Sequence, residues 1–312
     1  MNLYFAPLEG ITTRTFRTTH ARVFGGCDAY YAPFITPTDN EKLSLKTIRD
    51  IVPEYNDGTT LKVQVLSNTS SSFRKFTDKI RPLGYDEVNL NLGCPSNTVC
   101  KKGRGAAFLK DPDALDNFLY EIFSDTDFKI SVKTRIGFYS NEEFPKLLDI
   151  YKKYPLSLLI VHPRTREQLY KGLPDMDSFS DAFSGFEGNL CYNGNINTTD
   201  DYNSLLRQYP TLNSVMIGRG AITNPAIFRE IKGGKPLSTC ELIEFTDLLI
   251  EKYIPLLGSD IYTLHKLKEI WLYMAENFPS EKKTTKLIRK SNKLSELRKA
   301  LDFLPALKEE KS

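Results

Sequence analysis

The sequence predicts a (β/α)8 barrel followed by a C-terminal helical bundle, on three observations. Eight strand-like segments succeed one another between residues 3 and 218, several of them near-continuous apolar or β-branched runs of the kind covered on both faces. Helix-compatible stretches separate most of them, giving the alternation of a barrel. After about Gly234 the strand signals stop and helical patterns alone remain. The expected domains are therefore a barrel over 1–235 and a helical domain over 236–312.

The expected strands are Leu3–Pro7, Ala29–Phe34, Leu61–Leu66, Glu87–Cys94, Ile130–Arg135, Leu158–Pro163, Leu190–Asn195 and Ser214–Gly218. The clearest barrel helix opens with Asp111 as cap and Pro112 at the first helical position, and carries Leu115, Phe118, Leu119 and Ile122 at helical spacing. A doubly wound sheet is the competing architecture. It is weakened because no Gly-x-Gly-x-x-Gly follows the first strand, and Phe24–Asp28 reads as a turn. In the tail, helices are expected over Glu241–Leu257, Asp260–Phe278 and Thr284–Leu304, with Leu287, Leu294 and Leu301 repeating at seven residues.

Composition bounds the class. A chain of 312 residues with 40% hydrophobic and 26% charged residues can bury a full core. Its net charge of +3 is too mild to indicate nucleic acid by itself. The five cysteines, Cys27, Cys94, Cys100, Cys191 and Cys240, are odd in number and form no Cys-x-x-Cys pair, so neither a disulfide framework nor a metal site is expected. With no signal peptide pattern and no membrane-spanning run, the expectation is a cytoplasmic protein, read as a monomer, with no membrane partner.

Chemistry in such a barrel sits at the C-terminal ends of the strands. Those ends carry Ala6-Pro7-Leu8-Glu9-Gly10, Gln64, Asn91 with Gly93-Cys94-Pro95, Lys133-Thr134-Arg135, His162-Pro163-Arg164-Thr165, Asn193-Gly194-Asn195 and Gly218-Arg219-Gly220-Ala221. A strand that alternates and then breaks at Gly-Cys-Pro delivers Cys94 on a turn, with Asn89 and Asn91 on one face. A thiol there can move a proton at a bound ligand. The glycines of the last two strands let backbone approach a phosphate, Arg219 adds charge, and a helix near Asn224–Arg229 would add its dipole. Lys133, His162 and Gln64 can grip the polar edge of a flat heterocycle. Each feature also has a plain structural alternative: turn glycines, a surface lysine, a satisfied core histidine.

In the order Ala6–Gly10, Asn91–Pro95, Gly103-Arg104-Gly105-Ala106-Ala107, Lys133–Arg135, His162–Thr165, Asn193–Asn195 and Gly218–Ala221, the chain resembles the tRNA-dihydrouridine synthases across the whole barrel. Asn-x-Gly-Cys-Pro is the most specific of these elements. Two positions depart from the family pattern: Ile11-Thr12-Thr13 stands where Val-Thr-Asp is frequent, and Leu8 where Met is familiar. The resemblance implies FMN as cofactor, NADPH as reductant and tRNA as partner. It implies that Pro7, Gln64, Lys133, His162, Asn193, Asn195, Gly218 and Arg219 hold the flavin, that Asn91, Arg135 and Arg164 lie near the substrate, and that Cys94 is the proton donor. Hydride would reach uracil C6 from the reduced flavin and a proton would reach C5 from the thiol. The Pro95–Gly105 loop, with Lys101, Lys102 and Arg104, reads as a mobile lid.

The tail bears on RNA independently. Glu281–Lys299 holds eight Lys or Arg against two Glu, a net +6, with Lys286, Arg289 and Lys290 at its centre. Such a basic helix can neutralise phosphates, or it can be a solvated face. Tyr262, His265, Lys266 and Lys268 could extend it. Two other functions stay open: a flavin barrel reducing or oxidising a free, dihydroorotate-like pyrimidine, and a non-catalytic RNA-binding barrel.

Overall fold

The computed structural model describes residues 1–307 except Asp39 and Glu41. Its strands are β1 (Asn2–Phe5), β2 (Ala29–Tyr31), β3 (Leu61–Lys62), β4 (Gln64–Val65), β5 (Glu87–Leu92), β6 (Lys129–Arg135), β7 (Leu158–His162), β8 (Leu190–Tyr192) and β9 (Ser214–Ile217). All pair in parallel in the order β3-β2-β1-β9-β8-β7-β6-β5-β4. Because β3 and β4 flank Val63 in one stretch of chain, this order closes on itself. Lys62 O accepts from Ala32 N on one side, and Val63 O accepts from Asn89 N on the other, each at 2.9 Å. The expected eight-stranded barrel forms, its third strand Leu61–Leu66 divided in two.

Strand parity decides what faces inward. Ala6, Tyr31, Leu158, Ile160, Cys191 and Met216 pack into a small apolar cluster. One step further toward the C-terminal ends, the same parity presents Asn91, Lys133, His162, Asn193 and Gly218, all of them around one cavity. The interior is thus apolar below and polar above. The outer face of the strands joins the surrounding helices in a single large apolar core that extends into the tail.

Several elements differ from the sequence expectation: strands β2 and β8 stop at Tyr31 and Tyr192, and the middle tail helix ends at Met274. Strand β5 stops at Leu92, not Cys94, because Asn91 Oδ1 accepts from the backbone N–H of Gly93 (3.1 Å) and Cys94 (2.9 Å) and turns the chain there. The helix expected near Asn224 is preceded by a short one, Arg219–Thr223, directly after Gly218, with a second over Ile227–Ile231. The helix expected over Thr284–Leu304 is two helices, Lys282–Lys290 and Leu294–Leu301. Ser291 breaks it in an extended conformation, and its carbonyl is held by Lys268 Nζ at 3.0 Å. The seven-residue repeat marks the buried face only in part, Leu294 being half-buried against the core. Ile288, Leu297 and Leu301 are buried, whereas Leu287 is 46% exposed.

The first tail helix, Thr239–Leu257, opens on a Ser238–Glu241 capping box and ends at left-handed Gly258. It lies against the first barrel helix, Arg14–Val23. Phe245 meets Phe16 and Phe24 edge-on, with ring centroids 5.4 and 5.2 Å apart. The boundary expected after residue 235 lies between Ile227–Ile231 and this helix, where Arg229 pairs with Glu241 at 3.0 Å. Lys266 Nζ, on the next helix (Asp260–Met274), donates to Gly10 O at 2.9 Å in the loop after β1. Among the described residues no helix is long and apolar enough to cross a membrane. Phe245→Ala removes a fully buried ring at this junction. It should cost about 3–5 kcal/mol, read as a lower denaturant midpoint, and an unchanged midpoint would show that the tail does not depend on this contact.

Candidate active site

A cavity of about 740 Å³ opens at the C-terminal ends of the strands. Pro7, Gln64, Asn91, Cys94, Lys133, Arg135, His162, Asn193, Asn195, Gly218 and Arg219 all line it. Arg164 does not line it, and neither do Lys286, Arg289 and Lys290, which are exposed on the Lys282–Lys290 helix. Of the residues thought to extend that basic face, Lys266 and Lys268 are spent on Gly10 O and Ser291 O, while Tyr262 and His265 are exposed.

One wall is a fixed amide network. Gln64 Nε2 donates to Asn89 Oδ1 (2.7 Å), Asn89 Nδ2 to Ser131 Oγ (2.9 Å), and Asn91 Nδ2 to Gln64 Oε1 (2.8 Å). The chain of bonds fixes the orientation of each amide. Gln64 and Asn91 each keep one amide proton for the cavity, and Asn91 also sets the turn carrying Cys94. Below that turn Gly105 is left-handed, and a Cβ there would lie 2.8 Å from Cys94 O, so the segment needs glycine. The expected lid is folded: Asn97–Cys100 is helical, Ala106 N donates to Cys94 O (3.0 Å), and Arg104 Nε reaches Asn68 Oδ1 (3.2 Å).

The opposite wall is cationic. Lys133, Arg135, Arg164 and Arg219 surround His162, and none of the four forms a salt bridge among the described residues. Burial and these neighbours hold the imidazole well below its usual pKa, so it is neutral. Arg164 Nη1 lies 3.1 Å from His162 Nε2, and since arginine can only donate, Nε2 accepts and Nδ1 carries the proton. Burial, with Arg135 nearby, lowers Lys133 to about 8. Burial pushes the Cys94 thiol up, with nearby Cys100 and Glu9 adding to it and the Ser96 backbone and Arg135 opposing.

Arg135 and Arg164 both donate to backbone carbonyls of the protein. Arg135 donates Nε to Gly93 O and Nη1 to Thr165 O and Leu169 O, each at 2.8 Å. Arg164 Nη2 donates to Gly172 O (2.6 Å) and Asn195 Oδ1 (3.2 Å). Both are framework for the loop after β7. At β8, Asn193 Nδ2 holds Met216 O at 2.8 Å, and a Cβ on Gly194 would collide with the Tyr192 hydroxyl. Among the described residues no cluster of His, Cys, Asp and Glu could hold a metal ion.

Sequence reasoning gave no role to Glu9, Arg166, Tyr170, Glu269 or Tyr273, all of which line the cavity. Glu269 and Tyr273 are four residues apart on a tail helix, so one helical face closes the barrel mouth. That spacing was the one available signal. Tyr170 comes from an irregular loop and had none.

The model of the dihydrouridine synthase (Dus) family matches residues 4–312, and the chain belongs to that family. Its relatives include tRNA-dihydrouridine(16) synthase of Escherichia coli (strain K12), 26% identical with 97% of this chain and 98% of the relative covered. They also include tRNA-dihydrouridine synthase B of Pseudomonas putida, 27% identical with 80% and 74% covered. Among solved structures, the old yellow enzyme of Trypanosoma cruzi superposes with a TM-score of 0.54 at 12% identity, over 76% of this chain and 89% of that one. DHODH of Eimeria tenella gives a TM-score of 0.52 at 13% identity, over 79% and 81%. These structural likenesses concern the barrel fold.

Lys133 predicts a measurable cost. Its pKa falls from the 10.5 of a free lysine to about 8, so the folded ligand-free protein holds the proton less tightly than the unfolded chain does. The resulting destabilisation is fully present below about pH 8 and is relieved as pH rises toward 10.5. Ligand-free Lys133→Met should therefore melt above the wild type at pH 7, and the gap should narrow toward pH 10. A variant less stable at both values would show that the lysine is structural.

Proposed function

We propose that this protein reduces uridine in tRNA to 5,6-dihydrouridine, with FMN held at the barrel mouth, NADPH as reductant and Cys94 as the proton donor. The observation that carries the reading is the set of four cations around His162 with no carboxylate partner among the described residues, beside a thiol kept protonated by burial. Such a wall calls for an anionic ligand. The residue types fit flavin mononucleotide. Gly194, Gly218 and Arg219 suit its phosphate, and Asn193 and Asn195 stand beside them. Pro7 lines the wall at the end of β1. Lys133, His162 through Nδ1–H, and Gln64 through its free amide proton suit the polar edge of the ring.

When bound and reduced, the flavin would supply hydride to C6 of a uracil. Cys94 does the rest of the addition: its S–H bond breaks as a C–H bond forms at C5. Arg135, beside the thiol, favours the thiolate left behind, which regains a proton from solvent. Asn91 sets the thiol's turn and offers its remaining amide proton to the base. Arg135 and Arg164 act through the loops they hold. Lys286, Arg289 and Lys290, exposed on the tail, suit RNA phosphates, and the division of labour is a catalytic barrel over 1–235 with an RNA-binding tail over 236–312. The uridine must leave its stack to reach the cavity.

The test is anaerobic. The holoenzyme's flavin is reduced with NADPH, unmodified tRNA is added, and flavin absorbance is followed. The wild type should reoxidise with tRNA and not with uracil or orotate. Cys94→Ala should keep flavin and tRNA binding while reoxidation slows by about 10²–10⁴-fold. Reduced flavin that stays reduced with tRNA would overturn the reading, and an undiminished Cys94→Ala would remove the thiol as acid.

A further inference from the structure

Cys100 is a second thiol beside the acid, and the reaction above makes no use of it. Its Sγ lies 3.6 Å from the Cys94 carbonyl oxygen, at the end of the one-turn helix Asn97–Cys100. Cys27, Cys191 and Cys240 sit elsewhere: before β2, inside β8 and at the start of the first tail helix. The turn between Cys94 and Cys100 folds one back onto the other. Cys100 N donates to Ser96 O at 2.8 Å, and Ala106 N donates to Cys94 O at 3.0 Å. Gly105 closes the turn: a Cβ on it would stand 3.0 Å from both Cys94 Cβ and Val99 Cγ1. The sulfur and carbonyl oxygen of one residue share a Cα. Rotation about the two Cα–Cβ bonds is therefore the movement that brings Sγ to Sγ. Arg166 stands beside the pair. It donates to Asn97 Oδ1 and, at 2.7 Å, to Glu167 Oε1. Glu167 first, and then the Cys100 sulfur, hold its guanidinium above its usual pKa against the cost of burial. Arg166 and Cys94 both line the cavity.

A cysteine placed only to pack would be buried, as Cys191 is. Cys94 and Cys100 are both half-buried, so small oxidants reach them, and they share one turn. We propose that Cys94 and Cys100 form a reversible oxidation site, in which a peroxide converts the two thiols to a disulfide and withdraws the Cys94 proton from the cavity. The step balances. One sulfur gives two electrons to the peroxide as the O–O bond breaks, leaving a sulfenic acid and one water. The other sulfur attacks it. The S–S bond forms, the S–O bond breaks, and the oxygen leaves as a second water carrying the displaced proton. Burial keeps Cys94 protonated and so a weaker nucleophile toward peroxide, which makes Cys100 the sulfur oxidised first. A small dithiol restores both thiols by exchange. The site stands on the two sulfurs alone, and only its effect on turnover rests on the acid role proposed above for Cys94.

The test treats native holoenzyme, wild type and Cys100→Ser, with hydrogen peroxide, then alkylates and digests it with trypsin. Arg81 precedes a proline, so both cysteines fall in the single peptide Ile80–Lys101. In the wild type that peptide should become two hydrogens lighter and take up no alkyl group. Dithiothreitol before alkylation should return both alkylation sites. Reduction of tRNA is measured in parallel. Before peroxide, Cys100→Ser should turn over at the wild-type rate, since a hydroxyl keeps the bond to Cys94 O. After peroxide the wild type should slow by at least about a hundredfold, the loss expected without its acid, and recover with dithiothreitol. Cys100→Ser should show no loss that dithiothreitol reverses. The proposal is overturned if the wild-type peptide stays alkylated at both cysteines, if it is joined to the peptide of another cysteine, or if Cys100→Ser shows the same reversible loss. A disulfide that leaves turnover unchanged would confirm the site and overturn the acid role of Cys94. A wild type inactive on tRNA before peroxide would overturn the functional reading, and the peptide mass would still decide the site.

Discussion

A group of positive charges with no carboxylate partner among the described residues sets the terms for the rest of the barrel mouth. Lys133, Arg135, Arg164 and, from the exposed rim, Arg219 converge on one imidazole, and burying the first three together costs stability unless hydrogen bonds or an anion offset it. Two of the four are relieved internally by backbone carbonyls, which is why Arg135 and Arg164 tolerate near-complete burial. The other two are not held by carbonyls, and both line the cavity: Lys133 from β6 and the exposed Arg219 just after β9. His162 is forced neutral, and Arg164 selects its tautomer, so the site presents a ring N–H and not a third mobile charge. An anion entering here restores what the fold gave up, so ligand binding and stability are linked.

The remainder of the site is arranged around that wall. Parity along the strands separates an apolar floor from a polar rim. The Gln64–Asn89–Asn91–Ser131 amide network fixes the side facing the cations and passes its order to the Cys94 turn through two backbone N–H groups. Cys94 keeps its proton because burial outweighs the pull of Arg135. The tail is more than an appendage: Lys266 grips the loop after β1, and Glu269 and Tyr273 complete the cavity wall.

Much of this was legible in the chain because it is local. Strand alternation, the Asp111–Pro112 helix start and the Gly-Cys-Pro break are short-range signals, and each identifies its own element. Residues at strand ends converge automatically once a barrel closes, which is why Lys133, His162, Asn193 and Gly218 could be grouped beforehand. Long-range partners could not be read. Which loop carbonyls Arg135 and Arg164 would hold is not visible from their place at the strand ends. The seven-residue leucine repeat suggested one long tail helix, but Ser291 and the Lys268 bond across to it divide that helix in two. Tyr170 gained its place only when a loop without periodicity was braced from beneath.

The anionic-ligand assignment is tested most directly by titrating flavin-free protein with FMN and with riboflavin, which differ by the phosphate alone. If the mouth is built for a phosphate-bearing flavin, two charge-assisted contacts should make FMN bind roughly a hundredfold tighter, and added salt should narrow the difference. Equal affinity for the two, or binding of neither, would contradict the assignment of the cationic wall to the cofactor.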